Sequence, residues 1–192
     1  GEKMLTVKET TLQQVLLITP LTVHEDFRGS YLQTYNQAAY HQVGIPDFVQ
    51  DDFCASYRNV LRGIHGDDHT WKLVHCPFGR IYQVVVNYDR ESAQFLCWEA
   101  FFLSDANRLQ VLVPPKFGNA YLVMSEWALY AYKQSSYYLG ADQQFTLHYA
   151  DPQLGIHWPV DNPILSERDR NAVFLDDSAT RTESKSHPGD DS

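Results

Sequence analysis

Between residues 48 and 133 the chain repeats one local pattern eight times: a run of five to ten residues rich in β-branched, aromatic and aliphatic side chains, in most cases closed by a turn signal of Gly, Pro, Asp or Asn. The runs are 48–57, 60–65, 72–76, 80–88, 95–103, 109–113, 120–124 and 129–133. Short apolar runs with turn signals at this spacing predict strands of a sandwich or barrel. The expected fold class is all-β, a jelly-roll β-barrel with short peripheral helices and a mouth open to ligand. Upstream, Val15-Leu16-Leu17-Ile18-Thr19 reads as an early strand closed by Pro20. Residues 26–35 read as a polar turn followed by an alternating strand, and Asn36 as the cap of a helix over 37–42 that Gly44 and Pro46 stop. Downstream, Asp151-Pro152, Gly155 and Trp158-Pro159 interrupt regular structure before a short helical start at Ser166-Glu167-Arg168-Asp169.

A length of 192 residues fits one core, expected over residues 1–175 as a single domain. From Asp176 to Ser192 the chain is rich in Asp, Ser and Thr, and a disordered acidic tail is expected. Aromatic residues make up 14%, led by 12 Tyr and 10 Phe, which suits strands and aromatic-lined pockets. The net charge of -9, with no cluster of Lys and Arg, argues against nucleic acid or an anionic membrane as partner. Local arginines such as Arg28 and Arg62 remain able to hold a small phosphorylated ligand. Cys54, Cys76 and Cys97 are widely spaced in apolar runs, so buried reduced thiols are expected rather than disulfides or a zinc site. No apolar leader opens the chain and no apolar run reaches membrane-spanning length, which makes a cytoplasmic protein the expectation.

The chemistry centres on His65 in Arg62-Gly63-Ile64-His65. Lys72 follows seven residues later, Tyr132 lies in a later strand and Asp169 follows the Trp158-Pro159 break. Removing a proton beside a ketone needs a base that works near neutral pH and an electrostatic partner for the enolate oxygen. Inversion further needs a proton donor on the opposite face. His65 can be the base, a carboxylate such as Asp169 can fix its tautomer, Lys72 can face the enolate oxygen, and Tyr132 can return a proton. Each residue alone has an ordinary reading: His65 as a structural strand-end histidine, Lys72 as a solvated lysine, Asp169 as a helix-terminus charge. Alternation puts Tyr130 and Tyr132 on one face, where core packing competes with catalysis. His65, His69 and His75 contain no His-x-His pair and form no recognisable ligand frame, so no metal is expected.

Taken in order, a set of short motifs resembles the nucleoside-diphosphate-sugar (dTDP-4-dehydrorhamnose-type) 3,5-epimerase family of the cupin superfamily. They are Asp26-Phe27-Arg28-Gly29, Phe48-Val49-Gln50-Asp51-Asp52, Val60-Leu61-Arg62-Gly63-Ile64-His65, Lys72-Leu73-Val74 and the Pro114-Pro115-Lys116-Phe117-Gly118 turn. Tyr132-Lys133 with Tyr137-Tyr138, Asp151-Pro152, Gly155-Ile156, Trp158-Pro159 and Ser166-Glu167-Arg168-Asp169 complete the set, over about residues 10 to 175. The resemblance implies a cupin-type barrel, a cofactor-independent homodimer that exchanges N-terminal strands, and a GDP- or dTDP-linked 4-keto sugar as substrate. It implies His65 as base, Asp169 as its partner, Lys72 as enolate stabiliser and Tyr132 as acid, with Arg28, Gln50, Arg62, Asn119 and Tyr138 holding the substrate. Asn119 stands where common members carry a histidine, and Gln33 where a glutamate is usual. Gly66-Asp67-Asp68 replaces an aromatic-Gln sequence, and Arg62-Gly63-Ile64-His65-Gly66-Asp67 is similar to the branch acting on GDP-linked 4-keto-heptoses. The expected function is inversion at C3, C5 or both; a 3,4-ketoisomerase and a non-catalytic sugar-nucleotide-binding cupin are the alternatives.

Overall fold

The computed structural model describes residues 4–176, so the tail expected from Asp176 to Ser192 lies outside the described residues except for its first. In chain order the elements are β1 (Thr6–Glu9), β2 (Leu16–Thr19), β3 (Leu21–Asp26), β4 (Gly29–Gln33), α1 (Gln37–Gln42), β5 (Gln50–Tyr57), β6 (Leu61–Gly66) and β7 (Lys72–Phe78). There follow β8 (Arg80–Asn87), β9 (Trp98–Ser104), β10 (Gln110–Val113), β11 (Phe117–Val123), β12 (Trp127–Gln134), β13 (Phe145–Thr146) and α2 (Glu167–Arg170). One antiparallel sheet runs β1-β2-β10-β7-β12-β5 and a second runs β13-β6-β11-β8-β9, while β3 and β4 pair only with each other as a separate hairpin.

The two sheets face one another across a core that draws Val74, Val111 and Tyr130 from the first and Ile81, Val85, Leu103 and Val123 from the second. Burial of each such aliphatic side chain contributes about 2 kcal/mol. Both outer faces are also covered in part, which explains strands that read as continuous apolar runs. On the first sheet, Leu73 and Leu112 turn outward to Tyr40 and Ile45 from α1 and the segment after it. On the second, Tyr82, Val84 and Val86 turn outward to Leu147 and Leu154, with Trp158 and Leu165 packed against them. The jelly-roll expectation holds, as does α1 with its Asn36 cap, whose side chain accepts from Ala39 N.

Several expectations are corrected. β1, β3 and β13 were not anticipated. The run over 95–103 begins as a turn, with Leu96 at φ 67° and Cys97 N donating to Gln94 O, so the strand starts at Trp98. In consequence Cys97 is exposed rather than buried; Cys76 is buried, Cys54 is intermediate, and all three are free thiols.

One irregularity matters for the site. In a regular strand residues 62 and 65 would point to opposite faces. Between β6 and β11, however, Asn119 pairs with His65 and Tyr121 with Arg62, so two residues, Gly63 and Ile64, oppose Ala120 alone. This bulge turns both Arg62 and His65 to the inner face. Gly63 takes φ 119°, and a Cβ there would meet Asn119 O at 2.5 Å and Ala120 Cβ at 2.7 Å. Gly63→Ala is therefore expected to cost about 2–4 kcal/mol of stability, read by urea unfolding. A stability unchanged within error would mean that the bulge accommodates a side chain after all.

Candidate active site

A cavity of about 670 Å³ opens between the inner faces of the two sheets and contains His65, Lys72, Tyr132 and Asp169 together. A larger polar groove of about 850 Å³ runs along residues 9–16 and beside Asp89 and Glu91, but no imidazole, amine or phenol lines it. The first cavity is the one with chemistry.

Each wall follows from local structure. On β12, alternation sends Ala128, Tyr130, Tyr132 and Gln134 inward. Tyr130 is 2% exposed and belongs to the core, while Tyr132, two residues on, reaches the cavity. Tyr130 lines the cavity as well and Tyr132 also packs against the core, so packing and access to the cavity coexist in both residues. On β7, Lys72 shares the inner face with Val74 and stands opposite Gln134. The C-terminal segment is stitched to β6 by Leu61 N donating to Ile164 O and Ile164 N donating to Asn59 O, which sets α2 beside the bulge. Ser166 caps α2 by accepting from Asp169 N.

Asp169, 3% exposed at its side chain, lies 2.6 Å from His65 Nε2 through Oδ1 and accepts from Gly63 N at 3.1 Å through Oδ2. Burial by itself would raise its pKa, but His65, through its hydrogen bond and charge, with Gly63 and Ser166, holds the carboxyl below its ordinary range. An ionised carboxylate only accepts, so Nε2 carries the hydrogen and Nδ1 keeps its lone pair for a substrate proton. Burial lowers the Lys72 amine, with Asp67 opposing that effect and Arg168 adding to it. Among the described residues no carboxylate pairs with Lys72 at ion-pair distance. Tyr132 is pushed up to about 12, chiefly by burial and then by Asp52, Cys54 and Tyr138, so its phenol keeps its proton. An imidazole, an amine and a protonated phenol thus meet in one cavity, the set of groups that proton transfer at carbon requires.

The expected substrate-binding residues separate. Arg62, whose Nε donates to Ser56 Oγ, lines the cavity, and so does Tyr138. Gln50 does not line it; its Oε1 accepts from Tyr138 N and so holds the segment that carries that ring. Asn119 lines the cavity, but its amide is engaged with neighbours: Gln83 Nε2 donates to its Oδ1 and its Nδ2 donates to Tyr130 Oη. Arg28 is the clear exception. It sits at the tip of the β3–β4 hairpin, paired with Asp26 at 2.7 Å, and is not among the residues lining this cavity. Tyr121, Gln134, Arg168 and Cys54 line it without having been singled out. Gln134 was within reach, since it continues the alternation of Tyr130 and Tyr132. Among the described residues no group of three or more His, Cys, Asp or Glu side chains is placed to hold a metal ion.

This fold and this site define a class, a cupin-like β-barrel with a His–Asp pair, a lysine and a protonated phenol around one cavity. Residues 9–177 match the family model described as dTDP-4-dehydrorhamnose 3,5-epimerase, and the chain belongs to that family. It is 35% identical over 179 residues to the dTDP-4-dehydrorhamnose 3,5-epimerase of Salmonella typhimurium, covering 90% of this chain and 97% of the relative. Among solved structures, a 4-keto-6-deoxy sugar epimerase of Streptomyces spheroides superposes with a TM-score of 0.84 at 30% identity, covering 91% of this chain and 89% of that one. The dTDP-6-deoxy-D-glucose-3,5-epimerase of Legionella pneumophila, in complex with dTDP-4-keto-L-rhamnose, superposes with a TM-score of 0.83 at 32% identity, covering 91% and 96%.

Proposed function

We propose that the protein is an epimerase that inverts C3, C5 or both of a nucleoside-diphosphate 4-keto sugar through an enolate. The observation that carries this reading is the meeting in one cavity of the His65–Asp169 pair, Lys72 and protonated Tyr132. The C4 ketone acidifies the neighbouring C–H bonds. His65 Nδ1 takes the proton, the electron pair moves onto the ketone oxygen, and the Lys72 ammonium stabilises that oxyanion. Asp169 steadies the imidazolium. Tyr132 then protonates the carbon from the other face, which inverts it. Arg62 and Arg168, both held by neutral acceptors, leave positive charge at the cavity for a diphosphate.

A dTDP-linked hexose is the first substrate to test, because the relatives are named for it. The Gly66-Asp67-Asp68 loop favours a GDP-linked 4-keto-heptose as the second. Incubation of each in heavy water with the wild-type protein, followed by NMR, reads substrate, product configuration and deuterium at C3 and C5 together. Deuterium at either carbon with inverted product supports the reading. Binding without exchange points to a carbohydrate-binding cupin, and a relocated carbonyl to a ketoisomerase.

A homodimer accompanies this reading. The β3–β4 hairpin leaves Phe27 98% exposed and Val23 and Tyr31 largely so, while edge strand β5 exposes Phe53 and Tyr57. Apolar surface of this kind favours a second copy.

A further inference from the structure

At the wall of the cavity three side chains close a circuit of hydrogen bonds that the proposed mechanism does not use. Alternation turns Gln83 of β8, Asn119 of β11 and Tyr130 of β12 into the space between the sheets, where Gln83 and Tyr130 are buried. Gln83 Nε2 donates to Asn119 Oδ1 at 2.5 Å, Asn119 Nδ2 donates to Tyr130 Oη at 3.0 Å, and the Tyr130 hydroxyl donates to Gln83 Oε1 at 3.0 Å. Each member gives one hydrogen to the circuit and takes one from it, so these polar groups stand in an apolar core with partners. The circuit ties the two sheets together, since β8 and β11 belong to the second and β12 to the first. Asn119 and Tyr130 line the cavity, whereas Gln83 is not among its lining residues.

Tyr132 depends on what fixes Tyr130. Among the described residues no hydrogen bond holds the Tyr132 hydroxyl, so packing places the phenol that is to protonate the carbon. Its ring leans on that of Tyr130, with centroids 5.6 Å apart and planes at 40°. Tyr130 in turn stacks on Tyr121 at 3.8 Å and 21°, and the Tyr121 hydroxyl lies 2.7 Å from Cys54 Sγ. A Tyr130 free to tilt would let the Tyr132 phenol shift with it, and the circuit at the Tyr130 hydroxyl opposes that tilt. We infer that Gln83 is a positioning residue for proton return: from outside the cavity it closes the circuit that fixes Tyr130, and the Tyr130 ring fixes the Tyr132 phenol. The geometry also shows what an opened circuit would do. Tyr130 Oη lies 3.4 Å from Asn119 Oδ1, so without Gln83 the hydroxyl can turn to that oxygen, which keeps both groups partnered while the ring moves. The inference rests on the reading of Tyr132 as the acid.

The test opens the circuit at two joints. Gln83→Met keeps the length of the side chain and removes both of its bonds, while Tyr130→Phe keeps both aromatic contacts and removes the hydroxyl. In heavy water each variant should raise the ratio of sugar deuterated with retained configuration to inverted product about tenfold, because a small displacement of a catalytic group costs rate steeply. Proton removal by His65 and affinity for the nucleotide diphosphate should stay within about twofold. A general loosening of the fold would instead slow removal and return together. In a Tyr132→Phe background Gln83→Met should change the ratio no further. An unchanged ratio, or the same change in the Tyr132→Phe background, overturns the inference. If Gln83→Met does not fold, Tyr130→Phe is read against the same criteria. A second measurement needs no substrate. In 13C-tyrosine-labelled protein the Tyr132 ring resonance, assigned with Tyr132→Phe, should move in Gln83→Met, while that of Tyr57, exposed at the end of β5, should stay. A Tyr132 resonance that stays in place overturns the inference. One that moves in a protein that turns over no sugar upholds the Gln83–Tyr132 coupling and removes the functional reading alone.

Discussion

His65→Asn is expected to lower kcat/KM on the 4-keto sugar nucleotide by about 10³- to 10⁴-fold, with substrate affinity changed only a few-fold. Asp169 still accepts from Gly63 N, so the buried carboxylate keeps a partner and the fold should hold. What asparagine lacks is the basic nitrogen. A loss of about 10⁴ corresponds to about 5.5 kcal/mol of transition-state stabilisation, more than a displaced contact explains. The measurements are steady-state kinetics, isothermal titration with the nucleotide diphosphate, and thermal melting of the same sample. A loss confined to affinity would make His65 a binding residue.

Asp169→Asn is expected to cost about 10²- to 10⁴-fold in kcat/KM by a different route. The carboxylate serves two donors at once, His65 Nε2 through Oδ1 and Gly63 N through Oδ2. An amide can satisfy only one. If its oxygen stays on Gly63, its NH₂ faces the imidazole, Nε2 must become the acceptor, and Nδ1 takes the hydrogen and ceases to be a base. If its oxygen stays on His65, its NH₂ faces the Gly63 N–H and the bulge loses its anchor. The first outcome removes turnover with little change in stability, and the second lowers both, so unfolding measured beside kinetics tells them apart. Activity within a few-fold of wild type would mean that His65 does not depend on a braced tautomer.

How far the sequence could be read is clearest at residues 62 to 65. The run was legible as a strand, because its composition and its bounding turns are local. The bulge was not, because it depends on Ala120 opposing two residues, and a pairing partner 56 positions away leaves no period in the run itself. Strict alternation would have put Arg62 and His65 on opposite faces. Asp169 likewise reaches His65 across a separation of 104 residues: the chemistry of a braced imidazole asked for a carboxylate, and the resemblance of the Ser166-Glu167-Arg168-Asp169 motif singled out this one. Asn36 was legible as a cap, and Ser166-Glu167-Arg168-Asp169 as a helical start, because helix initiation is a short-range property. Arg28 lies away from this cavity because its motif specifies a hairpin turn, whereas where that hairpin sits is set by tertiary packing that the motif does not encode. Asn119 was placed correctly at the cavity, but its engagement with Gln83 and Tyr130 arises across strands β8, β11 and β12 and has no local signature.

The central claim is that one imidazole lifts the proton and one phenol returns it from the other side. It is tested most directly by deuterium wash-in to the sugar, compared between His65→Asn and Tyr132→Phe in heavy water. The prediction is that Tyr132→Phe places solvent deuterium on C3 or C5 with configuration retained, since His65 can still remove and return a proton on its own face, while His65→Asn places none. Deuterium entering the sugar in His65→Asn at the rate seen in Tyr132→Phe would contradict the account.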